Sequence, residues 1–104
     1  MHIQFLYFDG CPSHEKALAR LRQVMAAEGV SVPIAIIQVE TDEQAAAWHF
    51  TGSPTILIEG QDIDPPPVEA QSALTCRVYR LEDGRYSPLP AAETIRQALR
   101  AAAV

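Results

Sequence analysis

Residues 2–14 read HIQFLYFDGCPSH, and the fold turns on how this stretch is parsed. Ile3, Phe5, Leu6, Tyr7 and Phe8 form a nearly unbroken apolar, aromatic-rich run of strand length. Asp9-Gly10 interrupts it, and Cys11-Pro12 opens an amphipathic helix. A buried strand that turns sharply into a helix sets the turn residue against the helix N-terminus. There the unpaired N–H groups and the positive end of the macrodipole favour an anion. A cysteine at that spot has its thiolate stabilised, and thiolate is the reactive form. Cys11 is therefore the first candidate for chemistry. The competing reading is an inert buried thiol, the common fate of a free cysteine.

Downstream, Ala17, Leu18, Leu21, Val24 and Met25 recur in steps of three and four, which marks one face of a helix over residues 13–28 that Gly29 stops. Ser31 to Val39 is a second strand, with Pro33 at its start or on an edge. A helix joins the two strands, so they should lie parallel with a right-handed crossover. Thr41 or Asp42 caps a short helix that runs to Phe50 and is ended by Gly52-Ser53-Pro54. Thr55 to Glu59 is a third strand. Residues 60–75 contain Pro65-Pro66-Pro67 and no periodicity, the mark of a long loop. Cys76 to Leu81 alternates and reads as a fourth strand, and Asp83-Gly84 turns it towards a brief return at Arg85-Tyr86-Ser87. Pro90 opens a last helix with Ile95, Leu99 and Ala102 inward, and the tail at 101–104 is expected to fray. These elements make one α/β domain over residues 1–104.

The chain has 104 residues, 48% of them hydrophobic and 20% charged, ordinary values for a globular domain. Its net charge is −5, and the 8 basic residues are scattered, which argues against nucleic acid as a partner. No apolar run approaches the ~20 residues that span a bilayer. The apolar start lacks the basic residues and cleavage site of a signal peptide, so the expected location is the cytoplasm, with no membrane partner. In that reducing compartment two cysteines are more often reactive, metal-binding or structural thiols than a permanent bridge.

The element order, with FDGCPSH after the first strand and AAAWHFTGSPTILIEG before and through the third, resembles the thioredoxin/glutaredoxin-type superfamily. The resemblance covers nearly the whole chain apart from residues 60–75. It implies a thioredoxin-like three-layer α/β/α sandwich with a four-stranded mixed sheet and about three helices. It also implies that Pro54 is cis and faces Cys11, and that Pro12, Ser53, Pro54 and Thr55 bind an extended substrate. The chain departs from the Cys-x-x-Cys pattern at its fourth position, which is His14, and Gly10 replaces the aromatic residue common before the first cysteine. Cys11 thus has no resolving thiol within its own motif.

Three readings follow. The leading one is a small cytosolic thiol-redox protein in which Cys11 attacks a disulfide or accepts glutathione, and glutathione or Cys76 resolves the adduct. His14, three residues on, stands near the same helical face and either tunes the thiol or is a solvated first-turn residue. Cys76 is remote from Cys11 if the 76–81 strand follows by a simple hairpin, and close if the 60–75 loop runs back across the sheet. The partners expected are a protein disulfide or glutathione; no cofactor is expected, and the sequence assigns no oligomeric state. The second reading is binding of a thiophilic metal. FDGCP and CRVY are similar to the catalytic core of organomercurial (alkylmercury) lyases, which implies roles for Cys11 and Cys76, with Asp9 as the candidate acid. A turn-making role is the commoner one for an Asp-Gly pair. A Cys-His pair is short of the four ligands of a structural zinc, and no metal site is assigned. The third reading is a non-catalytic interaction module of the same fold. Asp62 and Asp64 are expected to be solvated loop residues.

Overall fold

The computed structural model describes residues 1–67, 69–81 and 83–103. Val68 of the expected loop, Glu82 beside the expected turn and Val104 of the expected frayed tail lie outside the described residues. Strand β1 (Ile3–Tyr7) runs through the middle of a four-stranded mixed sheet. It pairs in parallel with β2 (Ile34–Gln38) from Ile3↔Ile34 to Tyr7↔Gln38, and antiparallel with β3 (Thr55–Ile58) from Ile3↔Ile58 to Leu6↔Thr55. A two-residue β4 (Gln61–Asp62) adds antiparallel to β3, giving the order β2-β1-β3-β4. Helix α1 (His14–Ala27) connects the parallel pair, α2 (Asp42–Trp48) leads into β3, and α3 (Ala92–Ala103) is the last element.

The alternation of β1 sends its side chains into two apolar clusters, because successive residues of a strand point to opposite faces. Ile3 and Phe5 pack with Ile56 and Ile58 of β3, with Ala17, Leu21, Val24 and Met25 of α1, and with Ile95 and Leu99 of α3. Leu6 packs with Val39, Ala45 of α2 and Phe50. The helical face read from the three-and-four spacing of α1 is thus the buried one. Thr41 caps α2 through a capping box: its Oγ1 accepts from Gln44 N–H at 3.1 Å while Gln44 Oε1 accepts from Thr41 N–H at 3.3 Å. His49, in the left-handed conformation, ends the helix before Phe50. No helix among the described residues is long and apolar enough to cross a membrane.

Three expectations change. The fourth strand of the sheet is Gln61–Asp62, not Cys76–Leu81. Glu59 and Gly60 both have positive φ, 55° and 78°, so the chain reverses at once after β3 through a two-residue turn of the hairpin-compatible hand. A glutamate at such a position gives little sequence signal, and the prolines at 65–67 keep the new strand short. Of the 76–81 run only β5 (Tyr79–Arg80) is strand, and it pairs with β6 (Tyr86–Ser87) in a separate ribbon. In addition, α1 begins at His14, so Cys11 and Pro12 precede Ser13, the N-cap residue, instead of opening the helix.

Candidate active site

The end of β1 is tied to the Gly52-Ser53-Pro54 segment before β3. Phe8 N–H donates to Ser53 Oγ at 2.9 Å, and Cys11 N–H donates to Phe8 O at 3.0 Å, closing the turn that carries the cysteine. Cys11 is fully buried, and its Sγ donates to Ser53 O at 3.5 Å. The Ser53–Pro54 peptide bond is cis, as the resemblance implied. His14 hydrogen-bonds to the cysteine backbone and not to its thiol. Its Nδ1 lies 2.8 Å from Cys11 O, and because a carbonyl only accepts, the Nδ1 carries the proton. Its ring stacks on Tyr7 with centroids 4.6 Å apart and planes at 20°. His14 therefore holds the turn by its backbone, and Pro12 is exposed at the surface beside it.

The long segment after β4 comes back across the sheet. Thr75 O accepts from Ser53 N–H at 2.7 Å and Arg77 N–H donates to Ser53 O at 2.8 Å, a one-residue parallel bridge that sets Cys76 opposite Ser53. Gly52 permits this approach: a Cβ there would stand 2.8 Å from Arg77 Cα. Of the two alternatives for Cys76, the near one is observed. Hydrogen bonding between the two thiols, with burial and the charge of Cys11 adding to it, pushes the Cys76 pKa above the ordinary thiol range. Both thiols are free, Cys11 buried and Cys76 exposed.

Beneath the bridge lies a polar network that the sequence reading missed. Arg77, 8% exposed, makes a bidentate pair with Asp62, Nη1 to Oδ2 at 2.7 Å and Nη2 to Oδ1 at 3.0 Å. It also donates to Asp64 O and, at 3.4 Å, to Thr55 Oγ1, which itself donates to Gly52 O at 2.7 Å. Burial is the largest single influence and opposes the charge on Arg77, but Asp62, Tyr79 and Asp64 together outweigh it and raise the guanidinium pKa, so the group stays protonated. The guanidinium sits 4.5 Å over the Tyr79 ring, whose hydroxyl donates to Pro54 O at 2.6 Å. Burial lifts the Tyr79 phenol well above the usual tyrosine range, with the Arg77 charge opposing it, and so keeps the donor proton in place. Asp62 is thus an ion-pair partner and not a solvated loop residue. The available signal was the alternation of CRVYRL, which puts Arg77 and Tyr79 on one side and Cys76, Val78 and Arg80 on the other.

Of the expected substrate-binding residues, Ser53, Pro54 and Thr55 are buried together under this bridge, and the backbone N–H and C=O of Ser53 are taken by the chain's own 75–77 segment. Among the described residues no group of three or more His, Cys, Asp or Glu side chains is arranged to hold a metal ion. Comparison of this chain with family models, with curated proteins and with solved structures finds no match.

Proposed function

We propose that this chain is a thioredoxin-type thiol–disulfide exchange protein whose redox pair is Cys11 and Cys76, the second thiol coming from a returning loop and not from the helix motif. The observation that carries this reading is the bridge that sets Cys76 opposite Ser53, whose carbonyl accepts from Cys11 Sγ at 3.5 Å, with the Arg77–Asp62 pair holding the returning segment. The arrangement of helices on both faces of a mixed sheet supports the three-layer thioredoxin-like fold. Two thiols held beside one residue exchange with an external disulfide by passing through a mixed disulfide to an internal bridge. The buried thiol is protected from adventitious oxidants, and the exposed one meets the partner. The substrate class is a protein disulfide or glutathione disulfide.

Treating the reduced protein with oxidised glutathione, trapping free thiols at low pH and mapping both cysteines by mass spectrometry tests this. The expected product is an intramolecular Cys11–Cys76 disulfide with two equivalents of reduced glutathione released. A stable adduct on one cysteine with the other left free, or no reaction at all, overturns the two-thiol reading; the second outcome favours a non-catalytic module.

A thiophilic cation is the second reading, because two neighbouring thiols, with no third His, Cys, Asp or Glu grouped with them among the described residues, suit a soft ion that accepts two thiolates. Asp9, the acid candidate in that reading, is exposed in the turn ahead of Cys11.

A further inference from the structure

We propose that Cys76 is the thiol that attacks an incoming disulfide and Cys11 the thiol that resolves it, the reverse of the order that the strand-turn-helix sequence suggests. This rests on the redox reading above. Access carries the argument. Cys11 has no exposed surface, and the bridge from Thr75 to Arg77 lies across the Ser53 carbonyl that accepts from its sulfur. An external sulfur must line up with the attacking sulfur and its own leaving group, which a fully covered thiol cannot offer. Cys76 is exposed, and it lines a cleft of about 310 Å³ that Cys11 does not reach.

That cleft also has the character of a docking surface for a disulfide-bearing segment. Thr51, Pro66, Val78, Arg80 and Tyr86 line it around Cys76. Val78 and Tyr86 are 60% and 70% exposed, large apolar groups held outward beside the reactive sulfur by the β5–β6 ribbon. The exposure of Val78 follows from the same alternation that buries Arg77 and Tyr79, and Tyr86 is paired across the ribbon with the exposed Arg80.

The steps balance. Cys76, after losing its proton to solvent, attacks one sulfur of R–S–S–R′; the Cys76–S–R bond forms, the substrate S–S bond breaks, and R′S⁻ leaves and takes a proton from solvent. Cys11 then loses its proton and attacks Cys76 Sγ; the Cys11–Cys76 bond forms and RS⁻ leaves. The substrate disulfide gains two electrons and the two protein thiols lose them. Hydrogen bonding with Cys11 holds the proton on Cys76, so the first step is slow near neutrality and accelerates as pH rises through the thiol range.

The test uses the whole protein with the near-isosteric substitutions Cys11→Ser and Cys76→Ser, each checked for native circular dichroism, and 5,5′-dithiobis(2-nitrobenzoate) as the disulfide. Cys11→Ser is expected to retain a stable mixed disulfide on Cys76. Cys76→Ser is expected to react at Cys11 at least about tenfold more slowly, and to recover a normal thiol rate in urea. Early quenching of the unsubstituted protein is expected to show the adduct on Cys76. An early adduct on Cys11, or equal rates for the two variants, overturns the order while leaving the redox pair intact. Absence of the Cys11–Cys76 bridge in the unsubstituted protein removes the pair itself, and with it this assignment.

Discussion

At Arg77 a guanidinium sits under the backbone that presents Cys76, and its partner Asp62 comes from the other end of a long loop. The pair is mostly shielded from water, with Arg77 8% and Asp62 15% exposed. Removing one member of such a pair leaves an uncompensated charge, which costs roughly 3 kcal/mol where burial is deep. Asp62→Asn should therefore lower the urea unfolding free energy by about 2–3 kcal/mol, and the loss should be smaller if Arg77 is also replaced by Met. Circular dichroism on the two variants and the double variant checks this; an unchanged midpoint for Asp62→Asn contradicts a supporting role for the pair. Arg77→Lys should not substitute, because an ammonium lacks the planar fork that both Asp62 oxygens engage. The turn at Cys11 is likewise held by single residues, through the His14 ring on Tyr7 and its Nδ1–H on the Cys11 carbonyl.

At the scale of elements, the decisive contact is a single parallel bridge between the turn before β3 and the segment before β5. Its closeness depends on the absence of a side chain at position 52, where a Cβ would also come within 2.8 Å of Arg77 Cβ and 2.9 Å of Arg77 N. Gly52→Ala should force the two segments apart at a cost of about 1–3 kcal/mol, while β1, β2, α1 and α3 stay packed. The expected outcome is slower closure of the Cys11–Cys76 disulfide together with faster alkylation of Cys11, read by mass spectrometry of iodoacetamide adducts. Unchanged alkylation of Cys11 would show that the bridge does not cover it. Elements also meet where α1 ends: Glu28, the C-cap residue, accepts from Arg100 Nε of α3 at 2.7 Å and lies 3.7 Å from Arg96 Nε.

Over the whole molecule, that last contact closes the chain on itself, joining residues 72 positions apart. The Arg100 hydrogen bond, more than it is opposed by burial and with further pull from the Arg100 and Arg96 charges, lowers the Glu28 pKa. A carboxylate whose folded pKa lies below its unfolded value contributes stability above the ordinary carboxylate pKa, and loses it as pH falls through the folded value. Glu28→Gln should thus lower the urea midpoint at pH 7 and lower it progressively less as the pH falls through the folded carboxylate pKa, as measured at pH 7 and pH 3. A difference of the same size at both pH values rules out an ionic origin.

What could be read from the sequence alone was local. The three-and-four spacing of α1, the β-rich runs at 3–8 and 31–39, a cap at Thr41 or Asp42 and the alternation of Cys76 to Leu81 each depend on chain neighbours and on a period. The structure keeps the strand of the second run at Ile34–Gln38, makes Thr41 the cap and buries Arg77 and Tyr79 alternately. Tertiary structure decided where the alternating 76–81 run goes, because two hydrogen bonds to Ser53 and an ion pair to Asp62 place it, and none of these partners is near in sequence. A positive-φ turn at Glu59-Gly60 supplied the sheet's fourth strand instead, leaving Cys76 to come back over Cys11. Periodicity tells which side of a strand is buried; only the packed chain determines what it is buried against.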